Sequence, residues 1–384
     1  MDTEKKKIVV SGIRPTGKLH LGNYWGALKN WVELQEKYDC WFFIADWHAL
    51  TTGHEKSEEF RSLTREIVLD WLAAGLDPAR CVMFRQSDIK SHAELSLLLG
   101  MITPVSWLLR NPTFKEQLQE LYKQKYKGQE DKMKKAEGVT RQLAEAHGHD
   151  CDELALQSDM ATYGFLGYPV LQAADILMYG AHYVPVGKDQ LPHLELTREI
   201  ARRFNHVFGG ELLRAPEPLL TPAPVVPGLD GRKMSKSYGN TIEMGEDPKS
   251  VEAKINKMFT DPTKIHKDDE GHPDGCVVAA FHRLYNPDWP SEVVCETTGS
   301  AEDVLEMNIC IQEVSCKRGT IGCGACKKHL FKLMSKPLAQ FRERRAAYEG
   351  DAARVETILA EGGQKAGAAA SALMVRLNRT VKLA

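Results

Sequence analysis

A strand-like run, Lys7-Ile-Val-Val10, leads straight into Ser11-Gly-Ile-Arg-Pro-Thr-Gly-Lys-Leu-His-Leu-Gly-Asn23. From there the chain enters a helical pattern with apolar residues at Leu21, Trp25, Leu28 and Val32. Strand, Gly- and Pro-rich turn and helix N-terminus, in that order, commit the chain to a βα unit. The free N–H groups and dipole of such a helix start receive a phosphate well. An ordinary βα connection uses the same glycines and prolines. The His20-Leu-Gly-Asn23 tetrapeptide, small and polar at the mouth of the helix, favours a nucleotide over a plain connection.

The pattern then repeats. Cys40-Trp-Phe-Phe-Ile-Ala45 predicts a buried strand ending in Asp46-Trp-His48, and Phe60, Leu63, Ile67, Val68, Trp71 and Leu72 share one side of a helix. Cys81-Val-Met-Phe84 is a third strand and Ala93 to Met101 a further helix. This βαβ rhythm predicts an α/β fold with a doubly wound parallel sheet. Ligands of such sheets sit at the carboxyl ends of the strands, where the opening turn, Asp46, His48 and Gln86 fall. With 384 residues there is room for two domains, and 43% hydrophobic with 27% charged residues is an ordinary globular balance. The net charge of −2 means that a nucleic-acid partner would be met by local basic patches. No apolar run approaches the ~18 residues of a membrane span, and no signal-peptide core follows Met1 to Lys7, so the expected address is the cytoplasm.

From 116 to 159 lysine and glutamate dominate, predicting a flexible, solvated insertion; its His147-Gly-His149-Asp-Cys151 is a loop that could also bind metal. Tyr163 to Tyr183 then predicts a largely buried helix around Leu171, Ala174, Ile176 and Leu177. Asp175 within it needs a partner or a ligand donor. Val184 to Gln190 predicts a strand running into a loop, and Pro192 to Asn205 a helix. Gly231-Arg-Lys-Met-Ser-Lys-Ser-Tyr-Gly239 is a cationic loop suited to clamping a polyphosphate, although Lys- and Ser-rich loops also serve as plain surface. Beyond Glu243 the pattern is helical and predicts a separate bundle, with breaks at Gly350 and Gly362-Gly363.

Together these residues resemble the class I aminoacyl-tRNA synthetases, most closely their bacterial tryptophanyl branch, over nearly the whole chain. His20-Leu-Gly-Asn23 is similar to the family's first signature, and Lys233-Met-Ser-Lys-Ser237 matches its second throughout. Tyr168 to Asp175 and Val184 to His193 look tryptophanyl. The resemblance implies a Rossmann-like catalytic domain over 1–242 and a helical, anticodon-binding domain over 243–384. The activity it implies is ATP-dependent ligation of L-tryptophan to tRNA(Trp), with Mg²⁺ accompanying ATP, in a homodimer. Catalysis would fall to Lys233, Ser235, Lys236, His20 and Asn23. ATP contacts would add Arg14, Thr16, Gly17, Gly22, Lys115, Gly187, Asp189 and Met234. Tryptophan would be held by Val10, His48, Tyr168, Gln172, Asp175, Val186 and Gln190, with Asp175 accepting the indole N–H. Two positions depart from the family pattern: Gln172 stands where a Met packs on the indole, and Val10 where Phe is frequent. A non-catalytic paralogue that senses tryptophan or binds tRNA is the alternative, and the intact Lys233, Ser235, Lys236 and Asp175 argue against it.

Nine cysteines in a chain of this kind point to metal or buried thiols. Cys316, Cys323 and Cys326, with Gly319, Gly322 and Gly324 between and beside them, look like ligands, and Cys276, Cys295 or Cys310 could supply a fourth thiolate. Some of the resembling enzymes hold a [4Fe–4S] cluster at a similar pattern, for which Cys276 is the best upstream match. Zinc is the rival, because four thiolates suit both. Lys317, Arg318, Lys327, Lys328 and Lys332 surround the site and would suit an RNA loop.

Overall fold

The computed structural model describes residues 6–111, 162–220, 225–285 and 311–383. Lys115, the 116–159 insertion, Cys295 and Cys310 lie outside the described residues. Five strands, β1 (Ile8–Ile13), β2 (Asp39–Ile44), β3 (Cys81–Arg85), β4 (Tyr183–Val186) and β5 (Glu217–Leu220), form one sheet. Its order is β3-β2-β1-β4-β5 and every pairing is parallel. The chain builds outward from β1 to β3, then crosses back to lay β4 on the other side of β1. The order reverses between β1 and β4, and the crevice beyond their carboxyl ends is where an open parallel sheet binds its ligand.

The first helical segment is less regular than its periodicity predicts. A short turn α1 (Leu21–Asn23) runs into a π-helical turn, Tyr24–Leu28, before α2 (Lys29–Lys37). The wider turn shifts the inward face, so that Trp31 and Leu34 are buried while Val32 is not. Then come α3 (Asp46–Gly53), α4 (Phe60–Ala74), α5 (Ser91–Gly100) and α6 (Val105–Leu109). The buried helix expected over 163–183 is α7 (Tyr163–Leu177); Gly180, at φ +61°, turns the chain so that Tyr183 already opens β4. α8 (Leu191–Phe208) follows. The four-residue β5, with Pro218 inside it, is an edge strand that its sequence does not announce.

The helices beyond residue 243 are α9 (Pro248–Asn256), α10 (Val277–Tyr285), α11 (Ile311–Lys317), α12 (Cys323–Glu349) and α13 (Ala352–Thr380). Gly350 separates α12 from α13 as expected, but Gly362-Gly363 does not break α13. There the helix lies against the sheet: a Cβ on Gly362 would fall 1.8 Å from the Met83 carbonyl oxygen. Below that contact Ala366, Ala370, Met374 and Leu377, one face of α13, join the core of Phe84, Leu95 and Leu99. The bundle expected over 243–384 is thus joined to the sheet through its last helix.

Candidate active site

All seven residues assigned to tryptophan line one cleft of about 1080 Å³, counted to its open mouth. Its floor is the switch point of the sheet, with Val10, Ser11 and Gly12 from β1 and Val184 to Val186 from β4. Gly12 is required by space: a Cβ there would sit 2.6 Å from the Phe43 ring. Arg14 and Gly187, assigned to ATP, also line the cleft.

Asp175 is 1% exposed, and three side chains donate to it. His48 Nε2 is 2.8 Å from Oδ2 and His92 Nδ1 is 2.6 Å from Oδ1. Gln86 Nε2 spans both oxygens at 2.7 and 2.9 Å. Gln86 is itself oriented, because its Oε1 accepts the Trp47 N–H. His92 reaches on to the Tyr179 hydroxyl at 2.6 Å. Burial opposes ionisation of Asp175, but the hydrogen bonds from His48 and His92 outweigh it and hold the carboxyl below its usual range. A buried anion so fixed is a strong acceptor aimed at the cleft. Across from it, the Tyr168 hydroxyl lies 3.1 Å from His193 Nε2, and Asn111 Nδ2 lies 2.7 Å from His193 Nδ1. His92, Tyr179 and Asn111 have no motif to mark them; His92 and Asn111 are also distant in the chain from Asp175 and His193, the residues they meet.

The opening turn and the distant cationic loop meet. Gly22 N–H donates to Met234 Sδ at 3.3 Å, and Met234 is 4% exposed, so the loop is plugged onto the turn. Lys236 Nζ lies over Gly17, 2.9 Å from where a Cβ would be, and Gly17 at φ +130° holds a backbone that favours glycine. Leu21 N–H donates to the Ile242 carbonyl and Met244 N–H to that of Leu19, so the segment after the loop flanks the turn. His20 caps α1, with its N–H on Asn23 Oδ1 at 3.1 Å. Its buried Nδ1 has no partner among the described residues. Burial, with Lys236 nearby, lowers the His20 pKa to about 4. A neutral imidazole therefore faces the loop. Asn240, 3% exposed, pins the loop from inside: its Oδ1 accepts the Ser235 N–H and its Nδ2 donates to Asp230. Lys233 is exposed, its carbonyl held by Asn240, and Thr16 is exposed with its N–H on the Arg14 carbonyl. The position of the Asp189 side chain is outside what the structure describes.

Of the expected ligands Cys276, Cys316, Cys323 and Cys326, all four line one pocket of about 450 Å³, counted to its open mouth, between α10, α11 and α12. Burial pushes the Cys316 thiol up, and Cys276 and Cys323 add to the effect. Among the described residues no three Cys, His, Asp or Glu side chains are gathered about a single metal-ion position. None of the described helices is long and apolar enough to cross a membrane.

A family model described as class I tRNA synthetases (W and Y) matches residues 2–338. Tryptophan–tRNA ligase of Aquifex aeolicus is 43% identical, over 98% of this chain and 99% of its own length. That of Thermotoga maritima is 41% identical over the same shares. Among solved structures, tryptophanyl-tRNA synthetase of Campylobacter jejuni complexed with ADP and tryptophan superposes with a TM-score of 0.73 at 28% identity. That similarity spans 98% of this chain and 99% of the other.

Proposed function

The chain belongs to the class I tRNA synthetases of the tryptophan and tyrosine group, and from that premise we propose how its residues divide the work of joining tryptophan to tRNA. It is a tryptophan–tRNA ligase. The tryptophan carboxylate attacks the α-phosphorus of ATP, pyrophosphate leaves, and the 3′-terminal ribose hydroxyl of tRNA(Trp) then displaces AMP from the adenylate. No strong acid or base is required; the protein supplies position and charge.

Asp175 accepts the indole N–H, with His48, Gln86 and His92 fixing its oxygens. Tyr168 and Gln190 take the amino-acid head group, Val10, Val186 and Gln172 shape the pocket, and Gln172 supplies a polar wall. Arg14, Thr16, Gly17, Gly22 and Asn23, with Lys115, Gly187 and Asp189, take ATP and its Mg²⁺ beside the neutral His20. Lys233 and Lys236, with Ser235, draw charge away from the departing pyrophosphate. The observation that carries this reading is the plugging of Met234 onto Gly22, with Lys236 over the turn at Gly17, which follows Arg14 of the Asp175 cleft by three residues. Pyrophosphate exchange measured separately with tryptophan and with tyrosine tests it. Exchange with tryptophan alone, followed by aminoacylation of tRNA, is expected; exchange with tyrosine alone, or none, overturns it.

Cys276, Cys316, Cys323 and Cys326 would hold a [4Fe–4S] cluster. Four thiolates around one cavity suit a zinc ion as well as a cluster, and metal content distinguishes the two. A bound cluster supplies a rigid link among α10, α11 and α12, and the ligation itself runs without it. Iron and acid-labile sulfide at four per chain support the assignment, and stoichiometric zinc refutes it. The basic side chains around it, Lys317, Arg318, Lys327, Lys328 and Lys332, face the tRNA anticodon. Leu97 on α5, Met101 just past its end and Val105 at the start of α6, exposed apolar residues, form the contact of a homodimer in the cytoplasm.

A further inference from the structure

Arg345 lies near the carboxyl end of α12, yet its guanidinium is spent on α4. Its Nε donates to Asp70 Oδ1 at 2.7 Å, and its two Nη groups pair with Glu66 and with Glu349 one turn on. The pair is well buried, with side-chain exposures of 12% for Arg345 and 3% for Asp70. The second oxygen of Asp70 is not turned to water either. It accepts the Leu19 N–H at 3.2 Å, one residue before His20. α12 therefore holds the backbone of the ATP turn through a single carboxylate.

The same helix also holds the loop side. The Arg345 stem passes over Gly245, its Cδ 3.6 Å from where a Cβ would be, and Arg342 Nη1 donates to the Glu246 carbonyl at 3.2 Å. Gly245 and Glu246 follow directly on Ile242 to Met244, which flank the turn by hydrogen bonds at Leu19 and Leu21. Lys18, Leu19, Asp70, Glu243, Gly245 and Arg345 enclose one small cavity at this junction. A buried ion pair adds little net stability over an apolar pair of equal volume. What this one adds is a fixed geometry between α12 and the residues on either side of the phosphate path.

We propose that Arg345 is a positioning residue for adenylate formation: through Asp70 it sets the Leu19–His20 backbone, so that the helical half of the chain and the ATP turn move as one body. The proposal rests on the ATP reading given above. Its test is pyrophosphate exchange by the full chain as wild type, R345Q, R345K, D70N and the R345Q/D70N double variant, with tryptophan and ATP varied separately. Misplacement of the turn lowers kcat/KM for ATP about ten- to a hundredfold in R345Q and in D70N, while KM for tryptophan stays within about twofold. The double variant loses no more than D70N alone, and R345K recovers part of the loss, because a lysine reaches Asp70 but not Glu66 as well. Unchanged ATP kinetics in R345Q, equal losses for both substrates, or additive losses in the double variant overturn it. Should R345Q fail to fold, R345K and D70N decide by the same criteria. An inactive wild type would overturn the ATP reading itself, whereas an active wild type with an indifferent R345Q removes the coupling alone.

Discussion

Replacing Asp175 by Asn exchanges one oxygen for an amide at nearly constant volume and removes the charge. In the structure that carboxylate accepts from His48, His92 and Gln86 at 2.6 to 2.9 Å. An amide has one oxygen, so it can serve His48 or His92 but not both, and its NH₂ then faces the other ring and the Gln86 amide. Two consequences follow, and they are separable. Folding stability falls, because hydrogen bonds to a buried charge, each worth about 1.5–3 kcal/mol, are replaced by weaker or mismatched ones. Tryptophan affinity falls by the one further bond to the indole N–H, about 1.5–3 kcal/mol, which is roughly a 10- to 150-fold rise in KM for tryptophan. None of the side chains hydrogen-bonded to Asp175 is one assigned to ATP, so KM for ATP is expected to hold. Pyrophosphate exchange with each substrate varied in turn measures both terms, and urea unfolding measures the first consequence. If Asp175→Asn loses stability but keeps its KM for tryptophan within about threefold, the carboxylate is only a structural hub and the indole is bound elsewhere.

Lys236→Ala removes the amine over Gly17 and is expected to lower kcat for exchange by about a hundred- to a thousandfold, leaving equilibrium binding of tryptophan intact; an unchanged exchange rate refutes its role. His20 is lowered by burial to about 4 from an ordinary 6.5, so its contribution to stability is present above pH 6.5 and is lost as pH falls towards 4. Between about pH 7.5 and about pH 5 that loss amounts to about 2 kcal/mol. It is checked by comparing urea stability of wild type and His20→Gln at the two values, and an equal fall in both would show that His20 is not buried neutral. Gly228→Ala places a Cβ 2.1 Å from Asn240 Nδ2. Displacing Asn240 from the Ser235 N–H is expected to cost about 1–3 kcal/mol of stability and to slow exchange, and a thermal melt unchanged from wild type would dismiss the contact.

Much of the site is legible in the sequence, for a physical reason. β1, the turn after it and the helix start are local, so periodicity and composition announce their order, though not the π turn inside the helix. The cationic loop is likewise a continuous run. Joining the two depends on long-range contacts, and only a family pattern anticipates that Met234 reaches Gly22 across 212 residues. The structure adds what local pattern does not encode: the π turn that rotates α2, the close approach of Gly362 to β3, and the donors that surround Asp175 from three separate elements. Gly362-Gly363 is instructive. Two glycines in a helical pattern signal a break when read locally, yet here they mark the point where a helix must touch a sheet.

Asp70 shows that some of the remainder was signalled after all. Asp175 stands out as a lone carboxylate inside an apolar helical run, Ala173-Ala-Asp-Ile-Leu177, and a charge there needs a partner. Ile67-Val-Leu-Asp-Trp-Leu72 carries the same signature on α4, and Asp70 proves as enclosed as Asp175, at 2% against 1% exposure. The first carboxylate is answered by neutral and titratable donors around a cleft, the second by an arginine 275 residues away and by the backbone of the phosphate turn. The signal is the same in both helices; only the folded chain shows that one carboxylate lines a cleft while the other joins an arginine of α12 to the backbone beside His20.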